Sequence, residues 1–143
     1  MTTVRIDSIE KSRRRRAMGR LGEDAAVAHL QARGLRVLRR NVHVGHGEID
    51  IIALDGDELA FVEVRTLDRA TMLKTPEQSA NLYKQLQMQR AARGFARACR
   101  LKVLTARIDF VAVEVFEGRV VAIRHHQNAV SFNVTMAMGR GND

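Results

Sequence analysis

Hydrophobic and polar positions alternate in two adjacent segments near the middle of the chain. The first segment, GEIDIIALD, covers Gly47–Asp55, and the second, ELAFVEVR, covers Glu58–Arg65. Their β-branched and aromatic content predicts two strands, and Asp55-Gly56-Asp57 between them predicts a tight hairpin turn. Each strand has one acid in its apolar run, Asp50 in the first and Glu63 in the second.

The remaining periodic segments predict the order helix, three strands, helix, two strands. The three early strands have short connections, so they predict an antiparallel meander. The fold class is therefore α/β, with a mixed central sheet flanked by helices. The further elements predicted are a helix over 17–33 capped by Gly34, a strand over 35–43, a loop over 65–74, a helix from Thr75 to about Phe95, and strands over 107–117 and 119–125.

The length of 143 residues fits one folded domain with a short segment at each end. Residues 1–16 end in the like-charge block KSRRRR, which predicts a basic flexible leader. This leader could be an electrostatic arm that contacts phosphates, or a solvated segment without a partner. Residues 17–130 contain all the predicted elements and form the expected domain. Residues 131–143 contain two glycines and no core pattern, so we expect a flexible tail.

The charge balance favours a polyanionic partner. The formal net charge is +8 and the sequence pI is about 10.9, which attracts nucleic acid through counterion release. Only 4% of the residues are aromatic, so contacts to phosphates and to DNA shape are expected rather than stacking on single-stranded bases. A charge that serves only solubility remains an alternative.

Composition also excludes several other classes of protein. Cys99 is the only cysteine, so the chain can form no internal disulfide and no cysteine-based metal cluster. The sequence contains no apolar run of the ~20 residues that a membrane helix needs, and no signal peptide pattern. We therefore expect a cytoplasmic protein that does not enter a membrane.

Strand alternation brings the two acids of the hairpin together. Side chains two residues apart share a face of a strand, so Asp50 and Glu63 can be cross-strand neighbours with Cβ atoms roughly 5 Å apart. Carboxylates among apolar residues are costly unless a cation neutralises them. A site made only of oxygen ligands suits Mg²⁺ or Mn²⁺, so the pattern predicts a divalent metal site.

Three more side chains are candidates for the same site. Glu23 lies on the apolar face of the first helix, and with Asp50 and Glu63 it completes the predicted metal ligands. Lys84 lies in an apolar stripe of the second helix, which we expect near the same sheet face as Glu23. Arg65 follows Glu63 by two residues and is the nearest candidate for a catalytic cation, with Lys84 in reserve.

The acids of the hairpin also admit a purely structural interpretation. Glu63 and Arg65 could form an ion pair on one strand, and Asp50 could be paired with Arg36 or Arg40 across the sheet. Both arrangements would neutralise the acids without a metal ion.

The helical candidates and the histidines have ordinary explanations as well. Glu23 could be an acid favoured by the helix dipole, and the ammonium group of Lys84 could extend to solvent. His43, His46, His125 and His126 have no convincing ligand spacing, so we interpret them as surface or structural histidines.

Several short motifs in order resemble the bacterial YraN-type family over roughly residues 17–130. That family is similar in fold to PD-(D/E)xK nucleases, and most closely to archaeal-type Holliday-junction resolvases. The resemblance implies a restriction-endonuclease-like fold. The matching motifs are Gly22-Glu23, Arg40-Asn41, GEID over 47–50, FVEV over 61–64, Lys84 before Ala91-Ala92, and Arg107-Ile108-Asp109.

The resemblance also implies an activity and roles for individual residues. It implies a metal-dependent DNA endonuclease that hydrolyses phosphodiester bonds, with branched or structured DNA as an expected substrate and a homodimer as an expected assembly. Asp50 and Glu63 would be the metal-binding acids, Glu23 the helix acid, and position 65 the lysine of the ExK element.

The chain departs from the family pattern at Arg65, where the pattern has lysine, and at Leu67, where an arginine commonly follows. A guanidinium group stays charged and does not readily exchange a proton with water, so Lys84 would have to compensate. The second hypothesis is therefore a catalytically impaired protein that keeps the fold and binds nucleic acid. A protein-interaction role is the third.

Overall fold

Five strands form one mixed sheet, with helices on both of its faces, in a computed structural model of the chain. The structure describes residues 2–45, 47–80, 82–99 and 105–130. The predicted α/β class is confirmed, and the arrangement is consistent with a restriction-endonuclease-like fold. The elements are α1 (Thr2–Ala32), β1 (Arg36–Val44), β2 (Gly47–Asp55), β3 (Glu58–Asp68), α2 (Pro76–Ser79), α3 (Leu82–Cys99), β4 (Thr105–Phe116) and β5 (Arg119–Val130).

The spatial order of the strands is the order of the chain. Strands β1, β2 and β3 form the predicted antiparallel meander. Strand β4 then pairs with β3 in parallel, and β5 pairs with β4 antiparallel. A parallel pair needs a crossover connection, which here contains α2 and α3. None of the described helices combines the length and the hydrophobicity needed to cross a membrane.

Helices α1 and α3 cover opposite faces of the sheet. Leu30 of α1 packs in a cluster with Ile51 and Val62, whereas Met88 of α3 packs in a second cluster with Phe61. Successive strand residues alternate between the two clusters, as the pleat requires. The prediction that Glu23 of α1 and Lys84 of α3 lie near one sheet face is therefore wrong.

Helix α1 begins at Thr2 rather than at Ala17, so the basic block lies on a helix. The sequence pattern did not predict this N-terminal part of the helix, because residues 6–17 are exposed and show no apolar face. The other end of the helix agrees with the prediction. Gly34 has a φ of 92°, its N–H donates to Gln31 O, and Leu35 N–H donates to Leu30 O, both at 3.0 Å. This is a Schellman cap.

The helix predicted from Thr75 is divided in two. Thr75 forms the predicted capping box with Gln78, but α2 ends at Ser79 because Ala80 is extended, with a ψ of 128°. The buried Ser79 Oγ donates to Pro76 O at 2.6 Å, a local bond that competes with helix continuation. Further along, α3 continues through Gly94, the predicted weak point, to Cys99.

The strands of the central pair are longer than predicted. Strand β3 runs to Asp68 because it pairs with β4 along its whole length, from Glu58 opposite Thr105 to Asp68 opposite Val115. The predicted tail over 131–143 lies outside the described residues, as does His46.

Candidate metal site

The site forms where β2 and β3 separate. The two strands are paired from the hairpin turn as far as Ile51, which lies opposite Val62. One residue beyond it, Asp50 Oδ2 accepts the backbone N–H of Val64 at 2.8 Å. The carboxylate therefore bonds directly to the backbone of the neighbouring strand, in the segment that also contains Glu63 and Arg65.

Two cavities border this point. The first has a volume of about 350 Å³ and is lined by Glu48, Asp50 and Glu63 of the sheet and by Gln87 and Met88 of α3. The second has a volume of about 230 Å³ and reaches α1, where Glu23 forms part of its wall. Asp50, Val64 and Arg65 line both cavities, so a molecule in either cavity would meet the Asp50 carboxylate.

Asp50 is held among other acids. The pKa of Asp50 is raised to about 7, mainly by burial and also by the charges of Glu23, Glu63 and Glu48, against the opposing effect of the Val64 N–H. Asp50 and Glu63 line one cavity, and the charge of Glu63 acts on the Asp50 carboxyl group. The acids repel one another, which is the condition that a bound cation would relieve.

Glu23 reaches the site from the α1 face of the sheet. A Cβ at Gly22 would overlap Thr66 Oγ1, so this glycine lets α1 lie directly on β3. Glu23 Oε1 accepts Arg40 Nε at 3.2 Å, and the neighbouring Asp24 Oδ1 accepts Arg40 Nη2 at 2.7 Å. Arg40 thus pairs with two helix acids, and the hypothesis that it neutralises Asp50 is wrong.

Arg65 is positioned by the short helix that follows it in the chain. Its Nε donates to Ser79 Oγ at 2.9 Å, and the same hydroxyl donates to Pro76 O. One edge of the guanidinium group is thereby fixed beside the two cavities. The backbone of Lys84 belongs to α3, and its side chain lies outside the described residues.

The donor set is chemically suited to Mg²⁺ or Mn²⁺, because every candidate ligand is a carboxylate oxygen. As the side chains stand, no group of three or more His, Cys, Asp or Glu within the described ranges has the arrangement to hold a metal ion. Glu23 is engaged by Arg40, so this carboxylate would have to exchange that partner for a cation.

Sequence reasoning did not select two residues that border the site. Glu48 lines the first cavity and raises the pKa of Asp50; its position two residues before Asp50 on one strand was the available signal. Arg15 lines the second cavity, and no hydrophobic pattern in its part of α1 could have indicated this.

The family model described as uncharacterised protein family UPF0102 matches residues 22–113. A UPF0102 protein of Carboxydothermus hydrogenoformans is 33% identical over 118 residues, which cover 82% of this chain and 98% of that protein. One from Moorella thermoacetica is 42% identical over 115 residues, covering 73% and 95%. UPF0102 protein CT2262 of Chlorobaculum tepidum is 41% identical over 97 residues, covering 67% and 74%.

Proposed function

The chain belongs to the uncharacterised protein family UPF0102, which confirms the YraN-type resemblance, and we propose that it is a metal-dependent DNA endonuclease. The observation that supports this most is the environment of Asp50. A carboxyl group whose pKa is raised to about 7 by burial and by three neighbouring acids is unfavourable for stability, and such groups cluster at functional sites.

Asp50 and Glu63 would hold the metal ion, and Glu23 would join them from α1. Mg²⁺ or Mn²⁺ bound here would polarise a phosphate oxygen and lower the pKa of a water molecule. Asp50 keeps its position through the Val64 N–H, so one ligand is already fixed. Glu48 adds negative charge beside it and strengthens the attraction for a divalent cation.

Arg65 would orient the phosphodiester that is cut. Its guanidinium group binds phosphate through a rigid fork, and the bond to Ser79 Oγ restricts its orientation. It would stabilise negative charge that develops on the phosphate. It cannot take over the proton exchange that a lysine performs. Lys84 is our candidate for that role, because its helix α3 also supplies Gln87 and Met88 to the wall of the first cavity.

DNA is the proposed substrate because of the charge of the chain. The formal net charge of +8 and the exposed arginines of α1 favour a phosphate backbone. The resemblance of the sequence motifs to junction resolvases makes branched DNA the first substrate to try. A homodimer that cuts both strands extends the same proposal.

A second candidate function is DNA binding without cleavage. It is favoured by one observation, the arginine at position 65 with its Nε already bonded to Ser79. In this alternative the acids bind a cation that helps to hold the DNA backbone, and no bond is cut.

The test is a cleavage assay with Mn²⁺ on junction, flap, duplex and single-stranded DNA. We expect wild-type protein to cut at least one substrate and Glu63→Gln to cut it ~10²-fold more slowly or not at all. Asp57→Asn is the matched control, because this acid is exposed in the hairpin turn. Equal rates for wild type and Glu63→Gln would refute the site.

Two further variants separate the alternatives. If Lys84→Ala cuts as fast as the wild type, Lys84 does not compensate for Arg65. If the wild type binds DNA and Mn²⁺ but cuts none of the substrates, while Arg65→Lys gains cleavage, the second function is the correct one.

A further inference from the structure

The N-terminal half of α1 is a basic helical segment. Its residues 6–17 are all exposed, and four consecutive arginines, Arg13 to Arg16, lie within this stretch. Exposed charge alone would be consistent with solubility. The position of one of these arginines relative to the acids of the candidate site gives it a more specific meaning.

Arg15 lines the cavity of about 230 Å³ that also borders Glu23, Asp50 and Arg65. This cavity therefore has an arginine from the helix and an arginine from β3 in its wall, together with Glu23 and Asp50, two of the three acids that would hold the metal ion. The neighbouring Arg14 is paired with Glu10, Nη2 to Oε2, at 3.3 Å.

Helix geometry places Lys11 and Arg15 on one side of α1. Each residue turns the helix by about 100°, so the two lie about 40° apart around its axis, whereas Arg13 lies about 160° from both. Lys11, Arg14 and Arg15 also line a neighbouring cavity of about 610 Å³, together with one acid, Asp68. The positive charge of α1 therefore continues beyond the first cavity.

We propose that Arg15 and Lys11 form a subsite for the DNA backbone, which binds the phosphates next to the one that is cut. The inference rests on the proposed function and names how its substrate is held. Four residues of α-helix rise about 6 Å, close to the rise of two nucleotides of one strand, ~7 Å. The two cations can thus contact phosphates two nucleotides apart on a strand that leaves the acidic cluster along α1.

The subsite also explains how a cluster of acids can accept a polyanion. Glu23, Glu48, Asp50 and Glu63 repel phosphate until a cation neutralises them. Arg15 provides attraction at the border of the cluster that does not depend on the metal ion. Binding through Arg15 is therefore expected in the absence of divalent cations, when cleavage is impossible.

The test is DNA binding without metal, measured as fluorescence anisotropy of a labelled duplex and a labelled four-way junction in EDTA over a series of salt concentrations. We expect Arg15→Ala to weaken binding by roughly 3- to 10-fold and to lower the slope of log K against log salt by about one unit. Lys11→Ala should show a smaller loss in the same direction.

Arg13→Ala is the matched control, because it removes the same charge from the same exposed helix on the side opposite Arg15 and Lys11. We expect it to keep more of the affinity and of the salt slope than Arg15→Ala. Circular dichroism should show equal helix content in both variants. Equal effects of the two substitutions, or no binding of either DNA by the wild type, would overturn the subsite.

The outcome is separable from that of the proposed function. If Arg15→Ala loses affinity selectively but the wild type cuts no DNA, the subsite is correct and the nuclease proposal is wrong. If the wild type cuts DNA and Arg15→Ala binds and cuts as the wild type does, the subsite is wrong and the nuclease proposal survives.

Discussion

Asp50 and Asp109 are both strand aspartates with apolar neighbours, yet their surroundings are opposite. Asp109 has no exposed surface and is surrounded by donors: Arg107 Nε at 2.9 Å, His125 Nε2 at 2.8 Å and the N–H of Asn128 at 2.9 Å. Burial alone would raise the pKa of Asp109, but the bonds from His125 and Arg107 hold it below its usual value.

Asp50 has one backbone donor and three acids around it, and its pKa rises to about 7. The fold thus neutralises one aspartate completely and leaves the other without a cation in the described structure. Asp109 ties β4 to β5, whereas Asp50 lowers stability as it stands. A carboxylate that is costly to the fold is the better candidate for a ligand site.

The largest expected effect is the loss of the neutralised aspartate. Asp109→Ala should lower the free energy of unfolding by roughly 3–5 kcal/mol, because it removes the buried acceptor of Arg107 Nε and His125 Nε2. Arg107 Nη1 keeps its ion pairs with Asp55 and Glu58. Arg107 already has one buried nitrogen, Nη2, that makes no hydrogen bond in the described part of the chain. Urea unfolding measures the difference. Asp7→Ala, at an exposed helix position, is the control and should change stability by less than about 0.5 kcal/mol.

The sequence alone could not show which of the two aspartates is surrounded by hydrogen-bond donors and which by other acids. Asp50 stands in EIDII and Asp109 in RIDFV, two similar strand patterns. Asp50 was selected because Glu63 follows across a short hairpin, which is local information. Two of the donors to Asp109, His125 and Asn128, lie on β5. Because they are distant in sequence, no local pattern indicates that they contact Asp109. The fold class, the meander and both cap signals were local in the same sense, and they were predicted.

The errors have the same origin. The face that α3 covers is decided by the crossover between β3 and β4, which no periodicity reveals, so Glu23 and Lys84 were assigned to one face. The break after Ser79 depends on bonds to Pro76 and Arg65, and only the latter is distant in sequence. The sequence pattern of residues 2–16 does not indicate a helix, because a helix without a buried face needs no apolar pattern.

Asp50→Asn should have the opposite sign to Asp109→Ala and an intermediate size. Because the folded pKa of Asp50, about 7, lies above its ordinary value of 3.8, the stability of the neutral form is complete below pH 3.8. It is lost as the pH rises through 7. The amide stays neutral, so the variant should be more stable than the wild type at pH 8 by about 1–3 kcal/mol.

The measurement is urea unfolding in EDTA at pH 8 and at pH 4, where the advantage of Asp50→Asn should nearly vanish. Adding Mn²⁺ at pH 8 should stabilise the wild type and leave the variant almost unchanged. A variant that is less stable than the wild type at pH 8 in EDTA would remove the distinction between the two aspartates.

The smallest expected effect is at Glu77, a partly exposed acid that resembles Asp109 in its pairing. Hydrogen bonds from Arg124, at 2.6 Å to its Nε, are the main cause that lowers the pKa of Glu77 to about 2. Its contribution is therefore complete above the ordinary value of 4.5 and is lost as the pH falls through 2. Glu77→Gln should cost about 0.5–1 kcal/mol at pH 7, because solvent screens the pair.

The cost of Glu77→Gln should shrink between pH 4.5 and pH 2, which thermal unfolding at several pH values can follow. Glu117→Gln, at an exposed turn position, is the control and should show no such trend. A cost for Glu77→Gln that stays constant to pH 2 would mean that packing of α2, rather than the ionised pair with Arg124, accounts for it. Pairing with arginine would then not be the property that separates the structural acids from Asp50.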